Sequence, residues 1–276
     1  MAYRRRRTSC RGRPKRRAGG FRRYKAKVRR ASIKRVVKQV IRRDVETKTA
    51  ESGLATNQLY YPQNIGGFMA NNILRLSPGT NLPILQGVGN ANRVGNRCCI
   101  RKLQFNLQIR PRAYDLDTNA VPRPQVGKIV LFYMRKTPTN IDVTGNEPIV
   151  DFFQLNNTTD AIKGQMVDQL QQYNTDKYRV LASRSFKIGY SEYDETGNVP
   201  TQQNYANNDF KYCYMLKWDV TKYVPKLLRW NDNEATPMSR ALWAMIYFAP
   251  SDGSTGPGAQ VPLQSTYWLQ CKYEDA

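Results

Sequence analysis

The residues of this chain best equipped for chemistry are its cations. Between positions 4 and 43 stand Arg4, Arg5, Arg6, Arg7, Arg11, Arg13, Lys15, Arg16, Arg17, Arg22, Arg23, Lys25, Lys27, Arg29, Arg30, Lys34, Arg35, Lys38, Arg42 and Arg43, with no Asp or Glu among them. These are 20 of the 44 Lys and Arg, while all 21 Asp and Glu come later, so 20 of the 23 net charges sit in this arm. Like charges at this density repel, and too few apolar side chains accompany them to offset the entropy of ordering. The chemistry on offer is electrostatic: each phosphate met by Lys or Arg releases condensed counterions and favours nucleic-acid binding without regard to base sequence. A solubilising tail, an anionic membrane surface and nuclear import are the other uses, and Arg4 to Arg7 with Pro14-Lys15-Arg16-Arg17 would serve import. Twenty cations far exceed what import requires, so nucleic acid is the expected partner and import a second use of the same residues.

Other chemistry is scarce. Histidine is absent, which removes Ser-His-Asp and Cys-His catalysis, His-ligated metals and the histidine pH switch together. Cys10, Cys98, Cys99, Cys213 and Cys271 are odd in number and include no C-x-x-C, so neither a zinc site nor a disulfide framework is written here. Cys213 and Cys271 read as small strand residues that stay reduced. Gly87-Val88-Gly89 continues to Asn92 rather than to a third glycine, and no G-x-x-x-x-G-K-[ST] loop occurs. A nuclease using the paired carboxylates Asp115 and Asp117 is formally open, but they lie in a stretch that reads as loop, where acids are ordinarily solvated. The chain therefore reads as a non-enzyme with no cofactor. No apolar run approaches the roughly 20 residues that span a bilayer, and the N-terminus has no apolar secretory segment, so cytosolic synthesis without a membrane span is expected.

The elements that must carry the cations follow from pattern. Residues 1–31 interleave Arg with Gly12, Pro14, Gly19 and Gly20, so no regular structure is expected there before binding; Tyr3, Phe21 and Tyr24 could stack on unpaired bases. Across 32–43, Ile33, Val36, Val37, Val40 and Ile41 recur at helical spacing with cations between them, which predicts a short basic helix N-capped by Ser32. The arm thus spans 1–43, a linker 44–53 and a body 54–276.

The body is rich in Tyr, Phe and Trp and punctuated by Pro, Gly and Asn, the composition of strands separated by turns. In 103–109, Leu103, Phe105, Leu107 and Ile109 alternate with Gln104, Asn106 and Gln108, a strand buried on one side and wet on the other. Residues 128–135 are nearly all apolar and suit a central strand covered on both faces. Strands are also expected at 59–61, 73–76, 179–190, 210–220, 242–248 and 267–273, the last inside its sheet. Between 151 and 173 the pattern loosens and suggests one or two short helices. Polar loops at 191–208 and 250–258 should lie on the surface.

About eight strands in one domain predict an all-β fold, a two-sheet sandwich such as a jelly roll. With the Arg-rich arm and the lack of histidine, this resembles the capsid proteins of small circular single-stranded DNA viruses, circovirus-like and more distantly geminivirus-like. Similar stretches are Arg4-Arg5-Arg6-Arg7 with Pro14-Lys15-Arg16-Arg17, the strand at 128–136, Arg184-Ser185-Phe186-Lys187-Ile188 and Trp218-Asp219-Val220-Thr221-Lys222-Tyr223-Val224-Pro225. The resemblance implies an eight-stranded viral jelly roll with a disordered basic arm, assembling with other copies of itself into the smallest icosahedral shell around a circular single-stranded DNA genome. It also implies a virion protein that enters the host nucleus through import receptors and meets a host surface receptor through the loops at 191–208 and 251–258. Sixty arms would bring about 1,200 positive charges, enough to neutralise on the order of a thousand phosphates. The competing reading is a non-assembling basic nucleic-acid-binding protein, such as a nuclear shuttle or a ribosome-associated protein.

Overall fold

The computed structural model describes residues 33, 36, 46–62, 71–89, 92–112, 115, 117–135, 151–155, 158–189, 213–232, 234, 236–256 and 260–275. The chain divides into two units, Met1–Glu46 and Thr47–Ala276. In the first, Ile33 and Val36 have helical backbone and are exposed; the rest of the expected helix lies outside the described residues.

The second unit is all-β and antiparallel. Among the described residues it has thirteen strands: β1 (Lys48–Glu51), β2 (Ala55–Leu59), β3 (Ile73–Arg75), β4 (Arg97–Pro111), β5 (Gln125–Met134), β6 (Phe153–Leu155), β7 (Thr158–Asp160), β8 (Gln172–Tyr173), β9 (Tyr178–Ile188), β10 (Tyr214–Asp219), β11 (Leu227–Arg229), β12 (Trp243–Pro250) and β13 (Leu263–Asp275). Sheet I runs β1-β13-β4-β10, with β2 also on β13 and β11 also on β4. Sheet II runs β3-β12-β5-β9.

Alternation builds the core between these sheets. Leu103, Phe105, Leu107 and Ile109 of β4 are buried with Leu269 and Cys271 of β13, and they join Ile129 and Leu131 of β5 and Ile246 and Phe248 of β12 in one cluster. Each such side chain withdraws apolar surface worth roughly 1.5–3 kcal/mol from water. A bulge opposite Lys272 and Tyr273 leaves Arg101 as the extra residue of β4, so Ile100 and Leu103 both reach the core although they are three apart. Gly127 in β5 is required by close approach, because a Cβ there would lie 2.4 Å from the Phe186 ring and 2.6 Å from the Tyr247 carbonyl oxygen. The outer strands of the two sheets meet through Phe186 and Tyr214, 5.6 Å between ring centroids, and through the Arg184 guanidinium 5.4 Å over Trp218.

Two expectations are revised. Residues 48–51, within the expected linker, form β1, because the backbone of β13 needs a ladder partner on that side and Lys48-Thr-Ala-Glu supplies one. Ser52 continues the pairing, donating its amide to Leu269 O at 3.0 Å and accepting the Leu269 amide on Oγ at 2.9 Å, so β1 and β2 are one interrupted strand along β13. Second, the helices expected within 151–173 reduce to a single 3-10 turn, Met166–Gln169; the remainder is a small sheet, β7-β6-β8. The i, i+4 series Ile162, Met166, Leu170 does not become a buried stripe, since Leu170 is exposed. Buried Asp168 accepts the Lys163 and Gln165 amides on Oδ2 at 3.0 and 3.1 Å, which caps the start of the turn, and the pairing of Gln172 and Tyr173 with β6 leaves no length for a second one. This segment covers the outer face of sheet II, packing Phe152, Phe153 and Ile162 on Phe132, Trp243, Met245 and Tyr247. The apolar β5 is therefore buried on both faces, as its composition predicted.

Candidate nucleic-acid interface

All twenty arm cations, from Arg4 to Arg43, and Pro14 of the import motif lie outside the described residues, as do Tyr3, Phe21, Tyr24 and the loop at 191–208. The folded body begins at β1, the outermost strand of sheet I, and the arm joins it there.

The surface of sheet I turned away from the core has its own geometry. Gln104, Asn106 and Gln108 project outward from β4 between the buried apolar residues, and Thr266, Trp268 and Gln270 do so from β13. Register aligns them in rows: Thr266, Gln108 and Met215; Trp268, Asn106 and Lys217; Gln270, Gln104 and Asp219. All of these except Gln270 and Asp219 line a groove of about 860 Å³, with Leu54 and Glu51 at its side. Its polar groups are partly spoken for: Gln104 Nε2 donates to Asn106 Oδ1 at 3.2 Å, Gln270 Nε2 to Glu51 Oε1 at 2.9 Å, and Arg110 donates twice to Gln264 Oε1 at 3.0 and 2.8 Å. Asn106 Nδ2 is shielded from water and has no hydrogen-bond partner among the described residues. The Asp219 carboxyl is held below its usual range by the Thr221 hydroxyl and amide. Sequence reasoning missed Trp268; the available signal was an indole out of phase with the core residues Tyr267, Leu269, Cys271 and Tyr273.

Elsewhere, charged groups serve the fold. Arg93 is 1% exposed, donates to Gly95 O, Asn96 Oδ1 and Glu234 O, and lies 4.9 Å over the Trp230 ring. Lys48 Nζ donates to Asp275 and to Asn92 O, each at 2.8 Å. Both interactions pin residues 92–96, yet Val94 there and Leu85 and Val88 just before remain exposed. Asp115 caps a turn by accepting the Asp117 and Thr118 amides at 3.1 and 2.8 Å, and these bonds lower its pKa. Burial pushes the Cys98 and Cys271 thiols up to about 12, so neither is a thiolate at neutral pH. Among the described residues no group of three His, Cys, Asp or Glu could hold a metal, and no helix is long and apolar enough to cross a membrane. Compared with known proteins, the chain matches no family model and no curated protein sequence.

Proposed function

We propose that this chain is the capsid subunit of a small circular single-stranded DNA virus. Copies assemble into a T=1 icosahedral shell, the arm packages the genome by counterion release, and its Arg clusters carry the protein into the host nucleus. The observation that carries this reading is strand order. Counted along the chain, the eight principal strands are β1 with β2, β3, β4, β5, β9, β10, β12 and β13, and their antiparallel pairs are first with eighth, second with seventh, third with sixth and fourth with fifth. Nested pairing of this kind arises when one long hairpin is wound into two sheets, and it supports a jelly roll, an architecture used by viral capsids and also by lectins and cupins. The arm of 20 cations favours the capsid among these, because a polycation gains most beside polyphosphate. Exposed Leu85, Val88 and Val94, with Leu170 on the cover of sheet II, support burial against further copies.

Electron microscopy of the purified full-length protein tests the reading. Uniform closed shells containing nucleic acid are expected, and deletion of residues 1–43 should leave a folded β body without nucleic acid. A soluble monomer that binds DNA without forming shells would transfer the assignment to a non-assembling nucleic-acid-binding protein.

A further inference from the structure

The arm answers to phosphate charge and is indifferent to bases. We propose that the outer face of sheet I is a stacking site for the unpaired bases of single-stranded nucleic acid, with Trp268 as its platform. The identity of the polymer rests on the packaging function proposed above.

Three of the four tryptophans are core residues, with Trp218, Trp230 and Trp243 exposed by 7%, 3% and 5%. Trp268 is half-buried and points the other way, into the groove, while its chain neighbours Tyr267 and Leu269 fill the core. An indole there contributes nothing between the sheets and lines the groove instead, where it offers an aromatic surface of the kind any base can stack on. Asn106 stands directly opposite it on β4, and the shielded Nδ2 of Asn106 lacks an acceptor among the described residues. Asn106 Oδ1 accepts from Gln104 and keeps a second lone pair for a base donor, while Nδ2 meets a base acceptor only once the side chain turns outward.

Charge selects the polymer. Lys217 lies across from Asn106 on β10, so two strand spacings, about 10 Å, separate it from Trp268; that is within reach of the phosphate of a nucleotide whose base rests on the indole. Lys102 and Lys272 face each other beyond one end of the rows and Arg110 lies beyond the other, against Glu51 and Asp219 as the acids of this face. A neutral, aromatic and amide-lined centre between cations is the layout of single-strand platforms. The arm, with its 20 cations, is joined to this same sheet at β1, which raises the local concentration of any strand it holds.

The test uses dissociated full-length protein, a 20-nucleotide oligo(dT) and an abasic sugar-phosphate strand of equal length, at salt high enough to weaken the arm. Oligo(dT) should bind more tightly than the abasic strand and quench tryptophan fluorescence, since only one of the four indoles is accessible. Trp268→Ala should lower oligo(dT) affinity about 5- to 150-fold, leave abasic binding unchanged and abolish the quenching. Trp268→Phe should retain part of the preference. If Trp268→Ala does not fold by circular dichroism, Asn106→Ala must show the same base-selective loss. Equal binding of the two strands by wild type, or an unchanged preference in folded Trp268→Ala, overturns the proposal. So does a variant whose self-association changes while its oligonucleotide binding does not, which would make the groove a contact between copies. Normal, filled shells from a Trp268→Ala chain with intact base preference would remove this site alone; absence of shells from wild type would remove the capsid function alone.

Discussion

Replacing Phe152 by Ala should detach the cover of sheet II. Its ring is fully buried and meets Phe132, Phe153, Tyr173, Tyr178 and Tyr247 at centroid distances of 5.5, 5.5, 5.4, 5.2 and 6.5 Å. Truncating a buried Phe costs about 3–5 kcal/mol from lost transfer free energy and residual cavity. Five ring neighbours, most of them edge-on, place this site in the upper part of that range, about 4–5 kcal/mol, because the aromatic geometry adds to area alone. In a body of this size each kcal/mol moves Tm by about 2–4 °C, so a fall of about 8–20 °C is expected by circular dichroism on dissociated full-length protein. Phe152→Leu, which keeps much of the volume and loses only the ring geometry, should cost about 1.5 kcal/mol. Limited proteolysis should then cut the Ala variant within 151–174 before it cuts sheet I. A shift under about 2 °C for Phe152→Ala would refute the argument that these rings hold the cover down.

The arm makes a quantitative prediction about salt: with about 0.7 counterions released per phosphate on a single strand, changing Arg4, Arg5, Arg6 and Arg7 together to Ala should flatten log K against log salt by about 2.8. Fluorescence anisotropy at four salt concentrations measures this, and an unchanged slope would contradict counterion release by that cluster. Burial raises the Asp168 carboxyl above its usual range despite the amides it accepts. The folded state therefore holds that proton more tightly than the unfolded chain, so the contribution is present in acid and declines as pH rises through the raised value. Asp168→Asn should accordingly flatten the fall of urea stability as pH rises above the usual carboxylate range; parallel profiles for variant and wild type would exclude Asp168 as the source.

How much of this was legible depended on which force placed each residue. The core face of β4 could be read because Leu103, Phe105, Leu107 and Ile109 repeat with the pleat, and β5 because its apolar run admits no wet face. Residues 48–51 could not: only Lys48 and Ala50 of that strand are buried, and what makes it a strand is the open backbone of β13, more than two hundred residues away. The same holds for 151–173, where the helical spacing of Ile162, Met166 and Leu170 was overruled by the pairing of residues 158–160 and 172–173 with β6 on either side of the turn. Trp268 was hidden differently, since alternation marks an outward position as merely polar and says nothing of an aromatic placed among glutamines. The cations were legible as a polycation from composition alone.

Several acids of the described body are already engaged within it. Asp151, Asp160, Asp252, Glu274 and Asp275 form ion pairs with Lys177, Lys163, Arg123, Arg101 and Lys48 of the body itself. Asp115 and Asp219 are engaged in turns, and Asp168 is buried against backbone amides. Carboxylates already held by nearby cations and amides are poor counter-charges for a distant arm, because exchanging one ion pair for another gains little and costs the ordering of a long segment. On the packaging function proposed above, twenty cations with no acid in their own segment gain more from polyphosphate than from carboxylates already engaged in this way.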